Sequence, residues 1–300
     1  MFEATVVFVV MGLGLLISFG GFYLFAATKF KLLRKRVSPL NRDLLRPAGY
    51  SLLEKLQELW SEVVLNIAFA LAFPGYLGVF VAVAFLTDQS YVSILLTSVG
   101  AMCVALYYLW RIRELLTRLN HLTHASQAEM FVAEELNLLL LHGFRVFHDV
   151  PIRYGNIDHV VVGASGVFAV NTKAYGRLSD TADQAKLLVD SKNNLLRMPD
   201  RNIPIPIEKL RLEARTLKAF LEDATAQKVE VNSVLALPGW YVVGDGGYPI
   251  DCRVINPRNS SGFFNSFKHK MSPEEIDRLV YQLDRVCRNI EPIQKRKVTL

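Results

Sequence analysis

The sequence predicts two parts: three membrane-spanning helices, then one α/β domain whose sheet is covered on both faces. Three observations predict this. Residues 5–27, 63–86 and 91–110 contain no Asp, Glu, Lys or Arg, and each is long enough to cross a hydrocarbon layer of about 30 Å as a helix. The mean hydropathy of +0.25 is high for a wholly soluble protein. Beyond residue 124 the strand-like runs VVV and VFAV are continuous rather than alternating, as in strands buried on both faces.

The first apolar run does not read as a signal peptide. Met1-Phe2-Glu3 offers no basic start, and the basic cluster Lys29, Lys31, Arg34, Lys35 and Arg36 follows the run. That order marks a retained span with its C-terminal end inside. Arg42, Arg46 and Lys55 extend the same positive loop, residues 87–90 carry no basic residue, and Arg111, Arg113 and Arg118 follow the third run. One topology satisfies all of these: N-terminus outside, a tight outer hairpin, and the C-terminal domain in the cytoplasm. Residues 1–124 are therefore expected to be the membrane anchor, ending in a linker helix at 111–124, and residues 125–300 the cytoplasmic domain. Residues 40–62 read as a separate amphipathic helix with Leu52, Leu53, Leu56, Leu59 and Trp60 on one face, lying on the bilayer surface.

The domain reads helix, strand, strand, strand, helix, strand. Ser126 opens a helix that stops at Gly143. Strands are expected at 144–152, 156–163 and 167–174, with a turn at Gly163-Ala164-Ser165-Gly166. Residues 176–204 show no pattern. A helix at 207–224 carries Leu210, Ala214, Leu217 and Leu221 on one face, a strand follows at 229–237, and 252–256 forms a short edge strand. Ser272-Pro273-Glu274-Glu275 is a capping box with proline at the first helical position. Cys103 falls inside a span; Cys252 and Cys287 are expected to be reduced thiols. No CxxC or Cys/His ligand spacing is present, which argues against structural zinc. His121 and His124 read as a solvated helix face.

The residues that can carry chemistry are Glu129, Asp158, Asn171 and Lys173. Asn171 and Lys173 are two apart in a strand and are expected to share a face. Asp158 sits on the preceding strand, and its neighbour His159 must point the other way. Asp158 and Lys173 interrupt apolar strands, where a charge is costly unless paired or metal-bound. Two readings are open: a buried ion pair, or a metal-dependent phosphodiester site in which carboxylates hold a divalent cation and a lysine contacts phosphate. Glu129 also has two: the N3 member of a capping box opened by Ser126, or part of the site, since it shares a helical face with Val132, Ala133, Leu136 and Leu140.

At these residues the chain resembles the nuclease-related domain family. AEMFVAEELNLLL and FHDVPIRYGNIDHVVVGASGVFAVNTK carry the resemblance, and VNSVLALPGWYVV followed by RVINPRN is similar to the membrane-attached bacterial branch. The resemblance covers about 126–260. It implies a restriction-endonuclease-like fold related to the PD-(D/E)xK nucleases: a central mixed sheet flanked by helices. It further implies metal ligation by Asp158, with Glu129 completing the site and Lys173 as the motif lysine, and a bacterial inner membrane as the location. Asn171 falls where the family has Glu or Asp, so it would ligate through an amide oxygen without charge. Lys209 falls where related sequences often have Gln.

The function expected is metal-dependent hydrolysis of DNA beside the bilayer, with Mg²⁺ or Mn²⁺ held by Asp158, Glu129 and Asn171. The alternative is a catalytically degenerate module that binds nucleic acid or protein at the membrane. Lys186, Lys192, Arg197, Arg201, Lys209, Arg211, Arg215 and Lys218 could line a nucleic-acid groove, and could equally form a solvated helix surface or face anionic lipid. Asp180, Asp183, Asp190, Asp200, Glu208 and Glu213 are interleaved with them.

Overall fold

The computed structural model describes residues 42–86, 90–153, 155–177, 185–244, 252–258, 260–268 and 270–292. Two compact units emerge. Among the described residues, the first comprises 42, 57–86, 90–120 and 291–292, and the second those within 43–56 and 121–290. Residues 43–56 thus join the α/β unit rather than the anchor, and the expected break near 124 falls at 120.

The first unit is built on two helices, α1 (Tyr50–Leu86) and α2 (Tyr91–Asn137), each of which continues into the second unit. Within the first unit, Phe69 stacks on Tyr108 with ring centroids 5.5 Å apart, and Arg111 reaches Glu62 at 4.0 Å. Val64, Leu65, Leu95, Leu96, Leu106 and Leu109 are exposed. Among the described residues, one helical stretch is long and apolar enough to cross a membrane, Ile94–His142. Three such spans were expected. The run 5–27 lies outside the described residues, and the run 63–86 forms the last part of α1, where several side chains also lie outside them.

Two local expectations are overturned. No helix starts at Ser126: α2 passes through it without a break, so Glu129 caps nothing. Nor is 40–62 a separate surface helix. Residues 44–45 form strand β1, paired with β11 (Arg288–Ile290), and α1 begins at Tyr50. Leu44 and Leu45 precede a turn that contains Pro47 and Gly49, and Gly49 takes a left-handed φ of +68° before the helix.

The second unit holds a five-stranded mixed sheet in the order β10-β8-β4-β3-β2. Strands β2 (Arg145–Ile152), β3 (Gly155–Gly163) and β4 (Gly166–Thr172) form an antiparallel meander. Strands β8 (Val231–Ala236) and β10 (Arg253–Ile255) add in parallel. Helices cover both faces, as the continuous apolar runs require. On one face Val160, Val162, Val167 and Ala169 pack against Ala214, Leu217 and Leu221 of α3 (Ile207–Thr225) and Leu279 and Leu283 of α5 (Pro273–Cys287). On the other, Val161, Phe168 and Val170 pack against Val132 and Leu136 of α2 and Phe264 of α4 (Ser261–Asn265). Gly163 must be glycine: a Cβ there would lie 2.2 Å from the Phe144 ring. The capping box forms as expected, with Ser272 N–H donating to Glu275 at 2.7 Å and Glu275 N–H to Ser272 Oγ at 3.3 Å.

The unpatterned stretch contains a second sheet, ordered β7-β6-β5-β9, from β5 (Lys186–Asp190), β6 (Leu195–Arg197), β7 (Asn202–Pro204) and β9 (Tyr241–Gly244). Its core is Leu187, Val189, Leu196 and Trp240. Asp190 ties the β5–β6 turn by accepting from Asn193 and Arg197. Those contacts hold its carboxyl down at about 2.

Candidate functional site

The site lies where β4 ends and β3 begins. Glu129, Asp158 and Lys173 line one cleft of about 530 Å³. They arrive from three elements: α2, β3 and the residue just past β4. Lys209 and Glu213 of α3 line the same cleft, as do Ser51, Lys55, His121 and His124. His121 and His124 are exposed, as a solvated helix face requires, and they also line the cleft.

Each side chain has a local reason for its place. Asp158 accepts the Thr172 backbone N–H at 2.6 Å, so the end of β4 orients its carboxylate. His159 points the other way, as strand alternation demands. It is fully buried, meets His148 Nδ1-to-Nδ1 at 3.0 Å and reaches Thr172 Oγ1 at 3.2 Å. Burial drives both histidines towards neutrality, His148 down to about 4.

Asp149 is 1% exposed. Its φ of +48° turns it out of the β2–β3 ladder, and it pairs with Arg46 at 2.9 Å, Ser51 Oγ at 2.5 Å and Asn156 at 3.2 Å. Arg46 is thus a structural ion-pair partner, not a free loop charge.

Asn171 does not line the cleft. It is 1% exposed, on the α3-facing side of β4, and its amide donates to both Glu213 oxygens at 3.4 and 3.3 Å. Lys173, beyond the strand end, reaches the cleft without it. Glu213 is the residue that sequence reasoning missed. The signal was present: it sits on the buried face of α3 between Leu210 and Leu217, where a lone carboxylate needs a reason. Lys209 pairs with it at 3.4 Å.

The electrostatics are those of crowded acids. Burial pushes Glu129 up to about 8, the Asp158 and Asp149 charges add to it, and Lys173 and Lys209 oppose it. Burial likewise raises Asp158, against the Thr172 N–H, Lys209 and Lys173. Glu213 is raised by burial, relieved by Lys209 and raised further by Asp158. Three carboxyls that share too little positive charge favour a cation or a proton.

The donor chemistry suits a hard divalent ion. Glu129, Asp158 and Glu213 offer carboxylate oxygens, and Asn171 Oδ1 is a buried acceptor with no partner. The cage is not preformed: among the described residues no three His, Cys, Asp or Glu groups stand together as a metal site. Lys209 takes part of the charge that an ion would supply.

Comparison with known proteins places this geometry. Residues 124–238 match the family model of the nuclease-related domain. Over these residues the chain is similar to the nuclease-related domain. The match spans α2 from residue 124, the meander that positions Asp158 and Lys173, α3 with Glu213, and β8. No curated protein matches the sequence. Among solved structures, SfsA of Pyrococcus furiosus in complex with Ca²⁺ aligns at 12% identity over 53% of this chain and 50% of that one, so the chain spans about half of its length. The TM-score is 0.19, too low to carry any argument.

Proposed function

We propose that the protein is a membrane-anchored nuclease whose nuclease-related domain hydrolyses phosphodiester bonds of DNA with Mg²⁺ or Mn²⁺. One observation carries the reading: Glu129, Asp158 and Lys173, far apart in sequence, converge on one cleft inside the region of the family match.

Asp158 and Glu129 would hold the cation, with Glu213 as a further oxygen donor, and Asn171, off the cleft, would position Glu213 through its amide. When bound, it supplies Lewis-acid stabilisation of charge on the phosphoryl oxygens. Asp158 is oriented beforehand by the Thr172 amide. Lys173 and Lys209 set ammonium groups at the cleft for the non-bridging oxygens of a phosphate. Glu129 holds a proton near neutral pH and releases it when positive charge enters.

The test is cleavage of linear and plasmid DNA by the full chain in detergent with Mg²⁺ or Mn²⁺. Lys173→Ala is expected to lower the rate by about 100-fold, the scale of losing one preorganised electrostatic group. An unchanged rate in that variant overturns the reading.

A second reading, a degenerate module that binds nucleic acid or protein without cleaving, is favoured by the Lys209–Glu213 ion pair and by Asn171 in place of a carboxylate. It predicts a silent parent in which Asn171→Glu or Lys209→Gln creates metal-dependent cleavage.

The same proposal places the chain in a bacterial inner membrane with three spans, at 5–27, 63–86 and 91–110. The N-terminus is outside and the domain cytoplasmic. The stretch Ile94–His142 and the exposed apolar side chains of the first unit support contact with a lipid bilayer.

A further inference from the structure

Helix α3 faces two concavities. Glu213 and Lys209 serve the acidic cleft. On another flank, Arg211, Arg215 and Lys218 recur at i, i+4 and i+7, a single stripe along the helix. These three, with Arg253 on the edge strand β10, line a groove of about 400 Å³ floored by Ala214, Val231 and Cys252. Among the described residues, no acidic side chain lines it. Arg211 pairs with Glu208 at 3.1 Å and Lys218 with Glu222 at 3.9 Å. Both are solvent-facing pairs along one helix, which screen weakly and exchange readily for a stronger anion.

We propose that this groove is a second nucleic-acid contact, separate from the acidic cleft, that holds consecutive phosphates of one strand. Three features select a strand over a lone anion. The stripe runs about 10 Å along the helix axis at 1.5 Å per residue, longer than a single phosphate. Arginines predominate, and their forked donors match phosphate oxygens. Among the described residues the lining contains no aromatic side chain, so they offer bases no stacking platform, and contact is with the backbone irrespective of sequence.

The choice of nucleic acid as partner rests on the nuclease-type reading, and the test separates the two. A labelled single-stranded DNA oligonucleotide is titrated against the full chain in detergent, without divalent metal, at about 50 and about 200 mM salt. The variant R211Q/R215Q/K218Q is compared with wild type and with Lys173→Ala. Each lost phosphate contact lowers the salt slope by about 0.7 for a single strand. Wild type therefore loses affinity over that salt range by roughly twentyfold more than the triple variant does. Lys173→Ala, which removes a single phosphate contact in the other cleft, lowers the slope by no more than about 0.7, a third of the change in the triple variant. If cleavage is present, the triple variant raises KM and leaves kcat unchanged. An unaltered salt slope in a triple variant with wild-type thermal unfolding overturns the proposal. So does competition by inorganic phosphate equal to that by the oligonucleotide, or binding confined to vesicles of anionic lipid.

Discussion

At the scale of single residues, Glu129 and Asp149 make the clearest predictions. The Glu129 carboxyl is raised from 4.5 to about 8 in the folded state. Between those values the native chain holds a proton that the unfolded chain has shed. Stability therefore falls as pH rises from about 4.5 to about 8. Glu129→Gln removes that slope and unfolds at a higher temperature than wild type at pH 8, by an amount worth a few kcal/mol at most. A thermal melt of the full chain across that range checks it; a flat wild-type profile contradicts it. Asp149 is buried with Arg46 as its ionic partner. Arg46→Ala leaves an uncompensated buried charge and costs roughly 3–5 kcal/mol, read by urea unfolding, and Arg46→Ala with Asp149→Asn restores much of the loss. Cys252 and Cys287 are buried, and burial pushes both thiols up to about 12. They react with thiol reagents only on unfolding, as buried packing groups would.

At the scale of elements, the meander and both major helices of the domain were legible because their signals are local. The runs VVV and VFAV, the Gly163–Gly166 turn and the Ser272 capping box each specify a conformation within a few residues. The second sheet was not. Strands β6 and β7 have three residues each, and β5 pairs with β9 more than 50 positions downstream, so no local period marks them. The mistaken helix start at Ser126 has the opposite cause. Ser-x-x-Glu is a valid cap pattern, but α2 already runs through it, and continuity of the helix outweighs a local alternative. Strand alternation placed His159 away from Asp158, yet it could not place Lys173, because the strand ends at Thr172. Glu213 was passed over because it was read among surrounding surface charges rather than against the apolar stripe it interrupts. The β2–β3–β4 packing predicts one backbone-level test. Gly163→Ala drives a Cβ into Phe144 and is expected to destabilise by about 1–3 kcal/mol, while Gly163→Ala with Phe144→Leu recovers part of that in the same urea titration.

At the scale of the whole molecule, the functional account depends on how separate segments are gathered. Residues 43–56, which precede the apolar part of α1, pack into the domain through β1–β11, Arg46 and Ser51. The acidic cleft accordingly includes Ser51 and Lys55 beside residues from far later in the chain. A fragment beginning at residue 120 loses these contacts and is expected to unfold more readily than the full chain in a protease-susceptibility assay; equal resistance contradicts the assignment of 43–56 to the domain. The central claim is that the cleft is a divalent-cation site. Titration calorimetry of the full chain with Mn²⁺ tests it most directly. The account predicts one saturable site whose binding releases protons below pH 8, strengthens with pH up to about 8, and is lost in Asp158→Ala. Absence of binding in wild type, or identical binding in Asp158→Ala, would contradict it.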